Sequence, residues 1–184
     1  MKKTIEDIKD VVLNMPAKEK NKLLLQLLRK SPETIQKIYY QKVSEEDEVK
    51  TLIENLKEEI TDLLSWEYSK GGNEYKNMAK GIAKASKEIG RYKSVLNPEQ
   101  ETEINMHLLD IIFTDLSVNL GTCWTVFDHK VTQTLSKTIN LVTKKIHEDY
   151  RVEFEGQLNT YLKRLKAASS HLDYVYILPD RIEY

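Results

Sequence analysis

At 184 residues and 21.5 kDa, the chain has the length of one domain and buries about 70% of its unfolded surface without disulfides or metal. Charged residues make up 31% and hydrophobic ones 40%, which excludes a disordered chain, and a net charge of -1 gives no global field toward nucleic acid or an anionic membrane. A single cysteine, Cys123, cannot close an internal disulfide, and the first residues carry charges instead of an apolar run, so a cytoplasmic protein without a signal peptide is expected.

Only 6 Gly and 4 Pro interrupt the chain, which favours few, long elements. A short helix is predicted over 5–15, with Thr4 as its cap. Pro16 suits the first position of a second helix, whose Leu23, Leu24, Leu27 and Leu28 form an apolar face. Ser31-Pro32-Glu33 opens a third, carrying Ile35, Ile38 and Tyr39. Each is too short to be stable alone and needs something to pack against.

Longer elements follow. Ser44, with Asp47 three residues on, opens a helix whose Val49, Leu52, Ile53, Leu56, Ile60, Leu63 and Leu64 share one face, ending at Gly71-Gly72. The next helix steps by threes and fours through Tyr75, Met78, Ile82, Ala85, Ile89, Tyr92 and Leu96. Asn97-Pro98 caps a third with an acidic first turn. Its run from Ile104 to Leu120 is apolar around most of its circumference, which predicts the most buried helix. Gly121 has no second breaker beside it, so this helix is expected to continue to Trp124, with Asp128 capping the fourth. The fourth carries Val131, Leu135, Ile139, Val142 and Ile146. A fifth, from near Asp149, carries Phe154, Leu158, Tyr161, Leu162, Leu165 and Leu172. The segment Tyr174-Val175-Tyr176-Ile177-Leu178-Pro179 is β-prone and reads as an extended tail.

The expected fold is therefore all-α: an elongated antiparallel bundle of about five long helices, with a short N-terminal subdomain of about three helices. Residues 1–43 form the short helices packed on the bundle, 44–172 the bundle, and 173–184 the tail.

Charge arrives in blocks. Lys and Arg against Asp and Glu give +5 over 1–43, −6 over 44–62, +4 over 63–96, −6 over 97–129, +4 over 130–166 and −2 thereafter. Acidic and basic helices can complement each other across the bundle. Alternatively, the basic blocks form one face for an anionic partner, with Arg29 and Lys30 in the strongest stretch.

Catalytic patterns are sparse. Cys123 beside Trp124 reads as a small hydrophobe, since a reactive thiolate wants a helix N-terminus or a cationic neighbour. No Glu-x-x-His occurs, so a di-metal bundle site is not expected, and His107 with Asp110 suits a surface hydrogen bond better than a metal. Asp110 and Asp115 lie in the apolar run, where a buried carboxylate would need a partner. No cofactor is expected. Arg164 and His171 are seven residues apart on the predicted fifth helix, which would place them on one face. Their spacing resembles the Arg-x(4–6)-His element of HEPN ribonucleases; that resemblance implies phosphate binding and cleavage by the ribose 2′-hydroxyl. Tyr174, Tyr176 and Tyr184 make the tail sticky, either as cover for the core or as a docking segment.

Met15-Pro16-Ala17-Lys18-Glu19 to Leu28, then Leu108-Leu109, then Asp115-Leu116-Ser117-Val118-Asn119-Leu120, Trp124 and Asp128 form a pattern of packing residues. This layout resembles a bacterial family of uncharacterised small helical proteins, domain-of-unknown-function family 6155. The resemblance implies an all-helical fold and carries no activity. The leading expectation is a non-catalytic protein-interaction or scaffold module that binds a protein partner or itself, with no membrane. The alternative is an RNA- or DNA-associated protein, a HEPN-like ribonuclease using Arg164 and His171.

Overall fold

The computed structural model describes residues 7–42, 46–69, 73–123 and 125–183. Eight α-helices and no strand occur among them, and the chain divides into two compact units, Met1–Ser44 and Glu45–Tyr184. Thr4, Ser44, Gly71-Gly72, Trp124 and Tyr184, all given parts by the sequence reading, lie outside the described residues.

The first unit holds α1 (Lys9–Leu13), α2 (Ala17–Leu28) and α3 (Pro32–Lys42). α1 is shorter than the helix predicted over 5–15. Pro16 sits one place earlier than expected: its ψ of 141° is extended, so it caps α2 from outside the helix. α2 packs against α3, and Pro32 opens α3 behind a Ser31–Thr34 hydroxyl contact of 2.6 Å. No side chain described in this unit is buried.

The second unit holds the five long helices: α4 (Glu46–Ser69), α5 (Glu74–Tyr92), α6 (Pro98–Thr114), α7 (Val126–Lys145) and α8 (Glu148–Ala168). α4 packs on α5 and α6, while α7 packs on α5, α6 and α8. The predicted faces are the buried ones. Leu52, Leu56, Ile60 and Leu64 of α4, Met78, Ile82 and Ile89 of α5, and Val131, Leu135 and Val142 of α7 all lie in the core. Asn97 caps α6 in a reciprocal box: its side chain accepts from Gln100 N–H at 2.8 Å, and Gln100 Oε1 accepts from Asn97 N–H at 3.0 Å. α6 is the most densely buried helix, as expected, with nine of its 17 residues buried, and α7 follows it with ten of 20. α7 buries Thr132, Thr134 and Thr138 besides its aliphatic residues. Their hydroxyls each donate to the carbonyl four residues back, so they enter the core with their hydrogen bonds made.

The link from α6 to α7 departs from expectation. α6 stops at Thr114, well before Trp124. Leu116 N–H closes back onto Ile111 O at 3.2 Å, and a 3₁₀ turn, Ser117–Asn119, follows. Gly121 then takes φ +72°, and a Cβ there would stand 2.1 Å from Ala168 O. Only glycine satisfies both conditions. Asp128 does not cap α7 from outside; Thr125 holds that position and Asp128 lies in the first turn. The tail is also different. Instead of a strand it forms a 3₁₀ turn, Asp173–Ile177, because no strand among the described residues offers it an edge and its N–H groups close locally.

Candidate functional site

The N-terminal unit carries an unusual surface. Ile8, Val11, Leu13, Leu24, Leu25, Leu27, Ile35, Ile38 and Tyr39 are all exposed, Leu24 at 53% and Leu27 at 57%. The three to four residue steps of α2 bring its leucines together, and Lys18, Lys20 and Lys22 precede them in the same helix. Lys20 Nζ donates to Leu13 O at 3.1 Å. Arg29 ends α2 and Lys30 follows. Among the described residues, neither of them makes an ion pair, nor do Lys18, Lys22 and Lys37. Residues 7–42 hold eight basic against four acidic side chains. The unit thus presents apolar and cationic groups together.

The residues singled out for chemistry are mostly structural. α8 ends at Ala168, so His171 lies beyond the helix and the expected shared face with Arg164 is not formed. Arg164 instead places its guanidinium 5.6 Å from the centre of the Phe113 ring, which is itself stacked on Tyr161 at 4.6 Å. No hydrogen bond or ion pair joins Arg164 to His171. Asp110 is half-buried and partnered: Gln157 Nε2 donates to its Oδ1 at 2.6 Å, and the Tyr161 hydroxyl donates to the same oxygen. Burial, then the Asp110 carboxylate, raises the Tyr161 pKa above the ordinary phenol value. Asp115 is exposed at the end of α6.

His107 turns toward α4, where its Nε2 lies 3.0 Å from Thr61 Oγ1 and 3.2 Å from Lys57 O. Lys57 also donates to Glu103 at 2.7 Å and Glu54 at 2.9 Å. Burial disfavours the Lys57 ammonium, but these two carboxylates outweigh it and hold its pKa above the lysine range. Cys123 is exposed, not the buried small hydrophobe expected. Among the described residues no group of three His, Cys, Asp or Glu could hold a metal ion, and no helix is long and apolar enough to cross a membrane.

Sequence reasoning named Asp128 as a helix cap and missed its actual place. It is fully buried, and its Oδ1 accepts from Gly121 N–H at 2.8 Å and from the Ser169 hydroxyl. One carboxylate thus ties the α6–α7 link to the start of α7 and the end of α8. Tyr174, half-buried, donates to Thr125 O at 2.9 Å beside it. Burial, then the Asp128 charge, pushes the Tyr174 pKa up to about 12.

From there the tail covers the helices with Leu172, Val175, Leu178 and Ile182, all buried. Asn159 closes it by accepting from Ile182 N–H at 2.8 Å and donating to Ile182 O at 2.9 Å. Lys166 donates to Leu178 O at 3.1 Å and to Asp180 at 2.5 Å, and this pairing lowers the Asp180 pKa. Of the three tail tyrosines, Tyr174 is engaged in this packing. Tyr176 stays exposed although its hydroxyl donates to Ser170 O.

No family model, curated protein or solved structure matches the chain.

Proposed function

We propose that the chain is a non-catalytic interaction module that docks an acidic protein partner with an apolar face through its N-terminal unit. The observation that carries this reading is the exposure of nine large apolar side chains in a unit that buries none of its described residues. Apolar side chains clustered on adjacent short helices mark a surface that another molecule covers. The eight basic against four acidic side chains of residues 7–42 select the partner's sign and work against pairing of this face with a second copy. The resemblance to family 6155 adds no activity. Nothing in the surroundings of Arg164 and His171 favours an RNA-cleaving alternative.

The test uses an acidic amphipathic helical peptide, read by fluorescence anisotropy on the full chain, with the chain's own mass measured by light scattering. The chain should stay monomeric and bind the peptide. Affinity should fall about tenfold when leucine contacts are removed in Leu24→Asp/Leu27→Asp, and again when the ionic strength rises to about 0.5 M. A dimer mass that this double variant abolishes would replace the proposal with self-association. A peptide bound equally well by the variant would refute it.

A further inference from the structure

α7 turns outward a row that holds no acid, lysine or arginine. His129, Gln133, Ser136 and Asn140 follow one another by three- and four-residue steps, which puts them on one face of the helix. The outward row of α4 is built differently, from the exposed carboxylates Glu54, Glu58 and Asp62. Across from the α7 row stands the tail, and a groove of about 340 Å³ runs between them, with Ile177 and Leu178 as its apolar wall. Leu178 is buried while Ile177 is 82% exposed, so an aliphatic side chain is left standing at the rim.

Both walls are held in place. Tyr174 donates to Thr125 O and Lys166 to Leu178 O, which ties the tail to the helices beneath it, so the groove exists before anything enters. Hydrogen-bonding capacity is left over on the helix side. Asn140 uses one N–H on Ser136 O at 2.8 Å and keeps the other together with its Oδ1, and the Ser136 hydroxyl has no partner among the described residues. Gln133 Oε1 accepts from Lys130 at 2.9 Å, and its Nε2 lies 3.3 Å from His129 Nε2, which leaves one N–H free. Among the described residues the one permanent charge lining the groove is Lys137, and its ammonium stands 3.4 Å from the Glu101 carboxylate, so that charge is already balanced. A charged ligand gains little here. A neutral one with donors and acceptors along its length gains most, because amides and hydroxyls lose water at far smaller cost than charges.

The spacing of the row selects among neutral ligands. Gln133 and Asn140 are seven residues apart, which is about 10.5 Å along a helix. Three residues of extended chain span about 10 Å. The two amides can therefore each hold a main-chain group of one extended strand, with a side chain between them turned to the apolar wall. We infer that this groove docks an extended, uncharged peptide segment with one aliphatic anchor. Gln133, Ser136 and Asn140 hold its main chain, and Ile177 and Leu178 pack on the anchor. Main-chain bonds supply affinity in such docking, and the wall that receives the side chain supplies specificity. This surface is distinct from the leucines of α2 and takes a partner of different chemistry, one without acidic side chains.

Fluorescence anisotropy on the full chain tests this with a labelled, capped pentapeptide of the sequence threonine-valine-leucine-valine-threonine. It should bind with a Kd below about 1 mM that does not change between about 0.05 and 0.5 M salt. Gln133→Ala/Asn140→Ala should weaken binding about tenfold, and Ile177→Asp about fivefold or more. All three positions are exposed, and unchanged melting temperatures should report that the fold persists. The same peptide N-methylated at both valines should bind about tenfold more weakly, since its main chain can no longer donate there. The proposal fails if the pentapeptide does not bind at about 5 mM, or if the N-methylated form or both variants bind as well as the originals. N-acetylleucine amide binding as tightly as the pentapeptide would make the groove a small-molecule pocket instead. Binding lost in Leu24→Asp/Leu27→Asp and kept in Ile177→Asp would move the peptide to the first unit and overturn the assignment.

Discussion

Residues 7–42 and residues 46–183 use the same vocabulary of amphipathic helices with very different results. In the first unit Leu24, Leu25 and Leu27 remain exposed, and none of its described side chains is buried. In the second, Leu108, Leu109, Ile112 and Phe113 of α6 have no exposed surface at all. The difference is one of length and company. A helix of 12 residues beside other short helices cannot surround its apolar stripe, whereas helices of 17 to 24 residues packed on two or three others can. Periodicity therefore states which side of a helix is apolar, and only the packing partners decide whether that side is a core or a surface for another molecule.

This contrast can be broken or sharpened by substitution. The largest effect should come from Phe113→Ala, which removes a fully buried ring stacked on Tyr161 and should cost about 4 kcal/mol in denaturant unfolding. Gly121→Ala should come next, at about 3 kcal/mol, because the new Cβ meets Ala168 O and the left-handed backbone is strained. Asp128→Ala should cost about 2 kcal/mol by leaving the Gly121 N–H and the Ser169 hydroxyl without an acceptor.

Leu24→Ala in the first unit should cost less than about 0.5 kcal/mol, since that side chain is already 53% exposed. If it cost as much as Phe113→Ala, the distinction between the two units would collapse.

The smallest effect concerns pH. The fold holds Tyr161 and Tyr174 neutral, by burial first and then by Asp110 and Asp128 respectively. Because both folded values are raised, their contribution is complete below the unfolded tyrosine pKa of about 10 and is lost as pH climbs through the folded values. Tyrosinate absorbance should show a late fraction, near pH 12 for Tyr174, that Tyr174→Phe and Tyr161→Phe remove together. A titration in which no phenol lags behind the exposed tyrosines would contradict this account of the two phenols.

How much of this the sequence discloses depends on the range of the forces involved. Local periodicity is enough to name the buried faces of α4, α5 and α7, because burial at Leu56, Ile82 or Leu135 follows from helical spacing alone. The end of α6 is not disclosed. Nothing near Thr114 breaks a helix outright: Leu116 N–H closes the helix onto Ile111 O, and the link beyond it turns at Gly121, where the distant Ala168 O leaves room only for glycine. The tail misleads in the same way. Its β-branched and aromatic residues favour a strand, but α7 and α8 offer it side chains and no open edge, so it closes into a 3₁₀ turn.

The candidate surfaces divide along similar lines. The leucines and cations of α2 are legible as a stripe, although their exposure is not. The groove beside the tail is legible only by half: its polar row on α7 follows helical spacing, but the wall opposite depends on how the tail packs. The Arg164–His171 spacing fails as a guide because it assumes a helix that ends three residues before the histidine.

Gly121, Asp128 and Ser169 carry one further consequence. Their separations of 7 and 41 residues are fixed by hydrogen bonds between distant parts of the chain, and each position admits a narrow choice of residue for a stated reason. The glycine is required by backbone shape, the carboxylate by two donors and the hydroxyl by one acceptor. Helix surfaces drift easily because one aliphatic residue replaces another. Losing one member of this spaced triplet strands the others, so in any relatives of this chain the three are expected to be kept or lost together.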